Sequence, residues 1–114
     1  MIFFLICVFL KKNNPIKLFD GGNYLKDYMS VNDVCKAIDL VLEKGEVNEI
    51  YNIASGTSQS FRSIIMTARD ILGSQSELID VPIPEEQKYI QVKNMTLNIE
   101  KLKDLGFSCE MNLL

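Results

Sequence analysis

The sequence predicts an α/β fold, and three observations carry that prediction. Apolar residues recur at helical spacing around 34–42 and 61–72, β-rich runs stand before and after those segments, and no repeat or low-complexity tract divides the chain. The 114 residues suit one domain or a part of one, and 47% apolar with 24% charged residues is an ordinary globular balance. A chain of this size buries roughly 65% of its unfolded surface, so a core needs neither metal nor disulfide.

The opening "MIFFLICVFL" is too short to span a bilayer, which takes about 20 apolar residues in a helix. It also lacks the positive leading region and small-residue cleavage site of a signal peptide. The expectation is a buried helix docked on all sides, with some other surface covering it, since termini ordinarily lie in solvent. Asn13, Asn14 and Pro15 end that helix. "IKLF" (16–19) reads as a strand, "DGGN" (20–23) as a turn tolerating positive φ, and "YLKDYMSV" (24–31) as extended again. A hairpin or strand pair over 16–31 is the expected outcome. In the next helix Val34, Ala37, Ile38, Val41 and Leu42 share one face. Ser30 and Asp33 form a short capping box there, Lys44 sits in the last turn and Gly45 supplies the stop.

"EIYNIAS" (49–55) is expected as a buried strand, and "GTSQS" leads into a second helix from about Phe61 to Leu72. Phe61, Ile64, Ile65, Ala68 and Leu72 share its inner face, and Gly73 ends it. "ELIDVPIP" (77–84) reads as a strand leaving into a Pro-Glu loop, and "YIQVKNMTL" (89–97) as extended. Asn98 caps a short helix holding Leu102 and Leu105, closed by Gly106.

Composition narrows the function. A net charge of −3 and a pI near 4.9 argue against a nucleic-acid footprint, and Lys11–Lys12 reads as a solvated helix end. Three widely spaced cysteines, Cys7, Cys35 and Cys109, fit neither a disulfide framework nor a zinc motif and point to a reducing, cytoplasmic compartment. The absence of histidine excludes imidazole base chemistry and His-ligated metals. No metal site is expected.

Four stretches invite a chemical reading. "IASGTSQS" lies between strand and helix, where amides can hold phosphate, but it has neither the P-loop lysine nor a three-glycine fingerprint. A plain turn with Ser58 or Ser60 as cap is the favoured reading. Tyr89 and Lys93 have the Tyr-x-x-x-Lys spacing of short-chain dehydrogenases, yet that chemistry needs both on one helical face, and on a strand they stand roughly 13 Å apart. The pair is read as a decoy. Glu85 and Glu86 are read as solvated. Lys26, Asp27 and Tyr28 admit two readings. One is a surface lysine, a capping aspartate and a core tyrosine. The other is a cation and a phenol on one strand face, holding a phosphate and a sugar hydroxyl, with Asp27 on the opposite face.

The run "PIKLFDGGNYLKDYMSVNDVCKAIDLVLEKGEVNEIYNIASGTSQSFRSI" resembles the C-terminal half of the extended short-chain dehydrogenase/reductases, the NAD-dependent epimerases and dehydratases of nucleotide sugars. That family typically reads P-[IL]-x-[IL]-[YF]-G-x-G, then R-D-[YF]-[IV]-x-V-x-D-[VL], a helix, and [YF]-N-[IL]-G-x-G. The closing "MTLNIEKLKDLGF" is similar to its D-x-S-K-x-x-x-L-G-[WF]. The similarity runs from about Val8 to Leu114.

The resemblance implies a Rossmann-type α/β enzyme of which residues 1–114 form a single partial domain, the C-terminal lobe that binds a nucleotide-diphosphate sugar. The family arginine that contacts the diphosphate falls on Lys26, which keeps the charge but loses the bidentate fork. The tyrosine position is Tyr28, Lys17 and Phe19 fall where a strand borders the base, and Gln91 and Asn94 stand where some members have an arginine and an aspartate. Asp33 matches the aspartate at the helix start, and Asn98 replaces another, in a capping role.

The N-terminal nucleotide-binding portion, with its glycine-rich NAD loop, catalytic Ser/Thr and Tyr-x-x-x-Lys pair, is not matched. No catalytic residue is therefore expected on this chain. NAD(P) is expected in the complete isomerase or lyase and not on this chain alone. Truncation would explain the apolar start, and "YNIAS" would join the edge of a sheet made by the other half. The alternative is a non-catalytic interaction module, or gene remnant, that self-associates or pairs with a separate N-terminal half. Neither nucleic acid nor membrane is expected as a partner.

Overall fold

A computed structural model describes residues 2–110. In chain order the elements are α1 (Ile2–Lys11), β1 (Ile16–Phe19), β2 (Leu25–Lys26), α2 (Val31–Lys44), β3 (Gln59–Ser60), α3 (Phe61–Ile71), β4 (Leu78–Val81) and α4 (Glu100–Asp104), with 3₁₀ turns at Asp20–Gly22 and Glu85–Gln87. They fall into two compact units, one of residues up to Tyr24 with Ser60–Lys93, the other of Leu25–Gln59 with the residues from Asn94 on.

In the first unit β1 and β4 pair in parallel, Ile16 opposite Leu78 and Phe19 opposite Val81. Parallel pairing needs a crossover rather than a tight turn, and α3 lies within it. The expected hairpin over 16–31 is thus replaced. Asp20, Gly21 and Gly22 all have left-handed backbone (φ 47°, 70° and 67°), which bends the chain away from β1. Gly22 lies so close to α3 that a Cβ there would stand 3.0 Å from the Arg62 nitrogen.

Ile6, Leu10, Ile16, Leu18 and Ile65 form this unit's core, with Phe61, Ala68 and Leu78 packed on it. The opening segment is helical as the sequence predicts, but it buries one face only. Ile6 and Leu10, one turn apart, point inward, while Phe4 is 74% exposed and Phe3, Leu5 and Phe9 are exposed too. Its neighbours in the unit, β1 and α3, cover a single side. Ser60 Oγ caps α3 by accepting from Ser63 N at 3.1 Å.

The second unit packs Ala37, Ala54, Ile99, Leu102 and Phe107 together, with Met29, Leu40, Val41, Ile53 and Leu97 against them. Ser30 caps α2, its Oγ accepting from Asp33 N at 3.1 Å. The buried Asp33 carboxylate instead accepts from Glu110 N at 3.3 Å and Cys109 Sγ at 3.1 Å, seating the chain after α4 on the start of α2. The inward face of α2 is rotated from the expected one. Leu40 turns in, whereas Ile38 is exposed and Leu42 is 81% exposed. The strip Val31, Cys35, Ile38 and Leu42 therefore lies beside the core-facing residues.

Three further expectations change. Gly45 is extended (φ −65°, ψ 146°), so no left-handed stop is made; glycine is needed because a Cβ would lie 2.4 Å from the Val41 carbonyl oxygen. Residues 49–55 form no strand, for among the described residues no strand pairs with them, and Ile50 is 80% exposed. Side chains hold the segment instead: Asn52 donates to the Asn98 carbonyl at 3.0 Å and Tyr51 Oη accepts from Glu46 N at 3.0 Å. Residues 91–99 are likewise irregular, with Met95 N bonded to Leu25 O at 2.9 Å. Asn98 is not the cap of α4, a position that Ile99 holds without a side-chain bond, but one residue earlier its Oδ1 accepts from Glu100 N at 2.9 Å.

Gly45→Ala should destabilise the chain by about 1–3 kcal/mol through overpacking against Val41; an unchanged urea midpoint contradicts the close approach. The Lys101 ammonium, hydrogen-bonded to Glu49 at 2.6 Å, holds the Glu49 carboxyl below its ordinary value. That contribution is complete above the ordinary glutamate value of about 4.3 and is lost as pH falls through the lowered one. Glu49→Gln should therefore flatten the acid limb of the thermal midpoint against pH, and an unaltered limb would show the pair to be inert.

Candidate functional site

Lys26 ends β2 and is half-buried. Successive strand residues turn their backbone groups to opposite edges. Leu25 N donates to Asn94 Oδ1 at 2.9 Å and Leu25 O accepts from Met95 N at 2.9 Å, while β2 pairs with β3. The lysine's backbone is thereby fixed from both sides. Asn94 reaches the segment as a tether, with its carbonyl oxygen already engaged.

Asp27 follows. Its two carboxylate oxygens accept from consecutive backbone amides, Ser55 N at 2.9 Å and Gly56 N at 2.9 Å. Gly56 is left-handed (φ 81°) and lies against Ile99, where a Cβ would approach to 2.8 Å. Tyr28 is half-buried, and burial pushes its hydroxyl pKa further above an ordinary value that already lies well above neutrality; the phenol can donate and accept. Lys26, Tyr28 and Asn94 all belong to the second unit.

Lys17, Phe19 and Gln91 belong to the first unit. Ile16 and Leu18 face its core, which leaves Lys17 and Phe19 together on the exposed face of β1. Gln91 is half-buried in irregular chain. This unit also contains a residue that the spacing did not mark. Arg62, in the first turn of α3, donates through Nη1 to the Gly21 carbonyl at 3.1 Å and to Asp80 Oδ1 at 2.8 Å, bracing the 20–22 turn. On that turn Tyr24 Oη donates to Asp20 at 2.6 Å, and the carboxylate holds the Tyr24 pKa above its ordinary value.

The serine-glycine loop offers no phosphate cradle. The Ser55 and Gly56 amides serve Asp27, Thr57 N donates to Ser55 Oγ at 3.2 Å, and Ser63 N donates to Ser60 Oγ. These residues do not fit a dinucleotide pyrophosphate, which needs open amides at a helix start. Tyr89 is 92% exposed in a turn and Lys93 lies in irregular chain, so the two share no helical face. Glu85 is exposed and pairs with Lys88. Among the described residues no cluster of three acidic, cysteine or histidine side chains can hold a metal, and no helix is long and apolar enough to cross a membrane. A cleft of ≈ 390 Å³ at Ile50, Asn52, Asn98 and Lys101 contains none of the candidate residues.

Residues 1–54 match the model of the NAD dependent epimerase/dehydratase family. The chain is 34% identical over 101 residues to the Arabidopsis thaliana trifunctional UDP-glucose 4,6-dehydratase/UDP-4-keto-6-deoxy-D-glucose 3,5-epimerase/UDP-4-keto-L-rhamnose-reductase, covering 84% of this chain and 14% of that protein. The fold is similar to part of UDP-glucose 4-epimerase from Thermotoga maritima, solved with UDP-glucose, at a TM-score of 0.84 and 25% identity over 99% of this chain and 35% of that one. The Bordetella bronchiseptica enzyme WbmF, solved with NAD+ and UDP, gives a TM-score of 0.75 and 27% identity over 95% of this chain and 31% of that one. The chain thus spans about a third or less of the length of these relatives. Over the part that it matches, it is homologous to the enzymes of the NAD dependent epimerase/dehydratase family.

Proposed function

We propose that these residues form the nucleotide-sugar-binding part of an NAD(P)-dependent sugar epimerase or dehydratase, acting in the reducing cytoplasm. The observation that carries this reading is the Lys26–Tyr28 segment, fixed at the end of β2 inside the stretch matched by the family model. Lys26 supplies the cation for the diphosphate, and the Tyr28 phenol bonds a ribose or sugar hydroxyl. In the first unit the same reading assigns ligand contacts to Lys17 and Phe19, on the exposed face of β1, and to Gln91; in the second it assigns one to Asn94. Residues 1–114 act as one such binding lobe.

Hydride exchange with NAD(P) belongs to the longer enzymes, since Tyr89 and Lys93 lack the shared helical face that the reaction needs. The chain alone is inactive. A second reading is favoured by the exposed apolar side chains of α1 and α2. Phe4, Leu5 and Phe9 on one, and Val31, Ile38 and Leu42 on the other, suit a non-catalytic module that self-associates or pairs with a separately encoded N-terminal half.

Calorimetric titration with UDP-glucose and dTDP-glucose should show saturable binding that Lys26→Ala weakens by about 10-fold or more, equivalent to ~1.4 kcal/mol. Absence of binding to either sugar nucleotide, with a dimer in light scattering, favours the interaction module instead. Appearance of NADH when the chain alone is given NAD+ and sugar nucleotide would contradict its inactivity.

A further inference from the structure

We infer that Asp27 is a positioning residue for the proposed diphosphate site, acting through its neighbours Lys26 and Tyr28 by way of its clamp on the Ser55–Gly56 amides. The inference rests on the binding role proposed for those neighbours. A carboxylate beside a lysine is at first sight a poor companion for a phosphate site, because it competes with the phosphate for the ammonium. Here both oxygens are committed elsewhere, to two consecutive N–H groups at 2.9 Å each. Charge-assisted bonds of this kind are strong and directional. They turn the anion toward the 55–56 loop and leave the lysine's charge to an incoming ligand.

The clamp also completes a frame. Upstream, Leu25 is held through both its backbone groups by Asn94 and Met95. Downstream, Asp27 is held through its side chain. Lys26 lies between two fixed points, and Tyr28 follows directly on the second. The receiving loop is itself constrained, because Gly56 is left-handed and abuts Ile99, a buried core residue. Such a frame pre-organises Lys26 and Tyr28, lowering the ordering cost of binding.

The test compares UDP with uridine as probes on the full chain, in wild type, Lys26→Ala, Asp27→Asn and the double variant, with circular dichroism to follow folding. Wild type should prefer UDP. Asp27→Asn should lose about 10-fold of that preference, with UDP weakened more than uridine, whose ribose only Tyr28 contacts, and in that preference the double variant should be no worse than Lys26→Ala alone. Equal weakening of both probes, or additive losses with Lys26→Ala, overturns the positioning role while leaving the binding role intact. A wild type that does not distinguish UDP from uridine overturns both. If Asp27→Asn does not fold, Asp27→Glu takes its place. That variant keeps the charge but shifts it by one methylene, so it should also lose the preference, and a fully retained preference overturns the proposal.

Discussion

The interaction on which the second unit depends is the grip of one carboxylate on two backbone amides, Asp27 on Ser55 and Gly56. Hydrogen bonds to a charged group contribute about 1.5–3 kcal/mol each, and leaving the half-buried amides without acceptors would cost a comparable amount. The grip substitutes for a strand ladder that residues 49–55 do not make. It also disposes of the amides that a serine-glycine loop before a helix would otherwise offer to phosphate. Ala54 and Ile99 then close the core next to it. Cationic and phenolic groups on either side of Asp27 are left on fixed backbone, which is the condition for a site rather than a surface patch.

Local chemistry was the most legible part of the sequence. The Ser30 and Ser60 caps, the positive φ at Asp20–Gly22, and helices ending near Lys44 and Leu72 all appear, because a cap or turn is decided by residues three or four apart. Pairing was not legible. β1 selects β4, some 60 residues on, over the nearby extended segment, and nothing in either run names its partner. The face of α2 was read one position off. Its apolar residues exceed one stripe, so spacing cannot say whether Leu40 or Leu42 turns inward. The bonds that Asp27 and Arg62 make were not legible for a related reason. Each bonds main-chain groups far along the chain, 28 and 41 residues away at the nearest, and any polar residue could do so. In Asp27 the faint signal was its alternation with Lys26 and Tyr28, which already set it on the opposite side.

Both units leave apolar helix surface uncovered within themselves: Phe4, Leu5 and Phe9 of α1 in one, the Val31–Leu42 strip of α2 in the other. A protein ordinarily keeps such surface against another element. The solved epimerase that shares the fold is a chain of which this one matches 35%. The exposed strips and that ratio together motivate both functional readings, a binding lobe working with a larger body or a module that pairs through those faces. Binding of a sugar nucleotide at Lys26 and Tyr28, or its absence, would decide between them.

The clamp itself is open to direct measurement by amide hydrogen exchange of the wild-type chain, followed residue by residue by NMR. Ser55 and Gly56 lie in no helix or strand, so on secondary structure alone their amides should exchange as fast as an open loop. The account requires both to be protected to a similar degree as the core-facing amides of α2. Rapid exchange at both positions would mean that Asp27 does not hold the loop, and the frame around Lys26 would go with it.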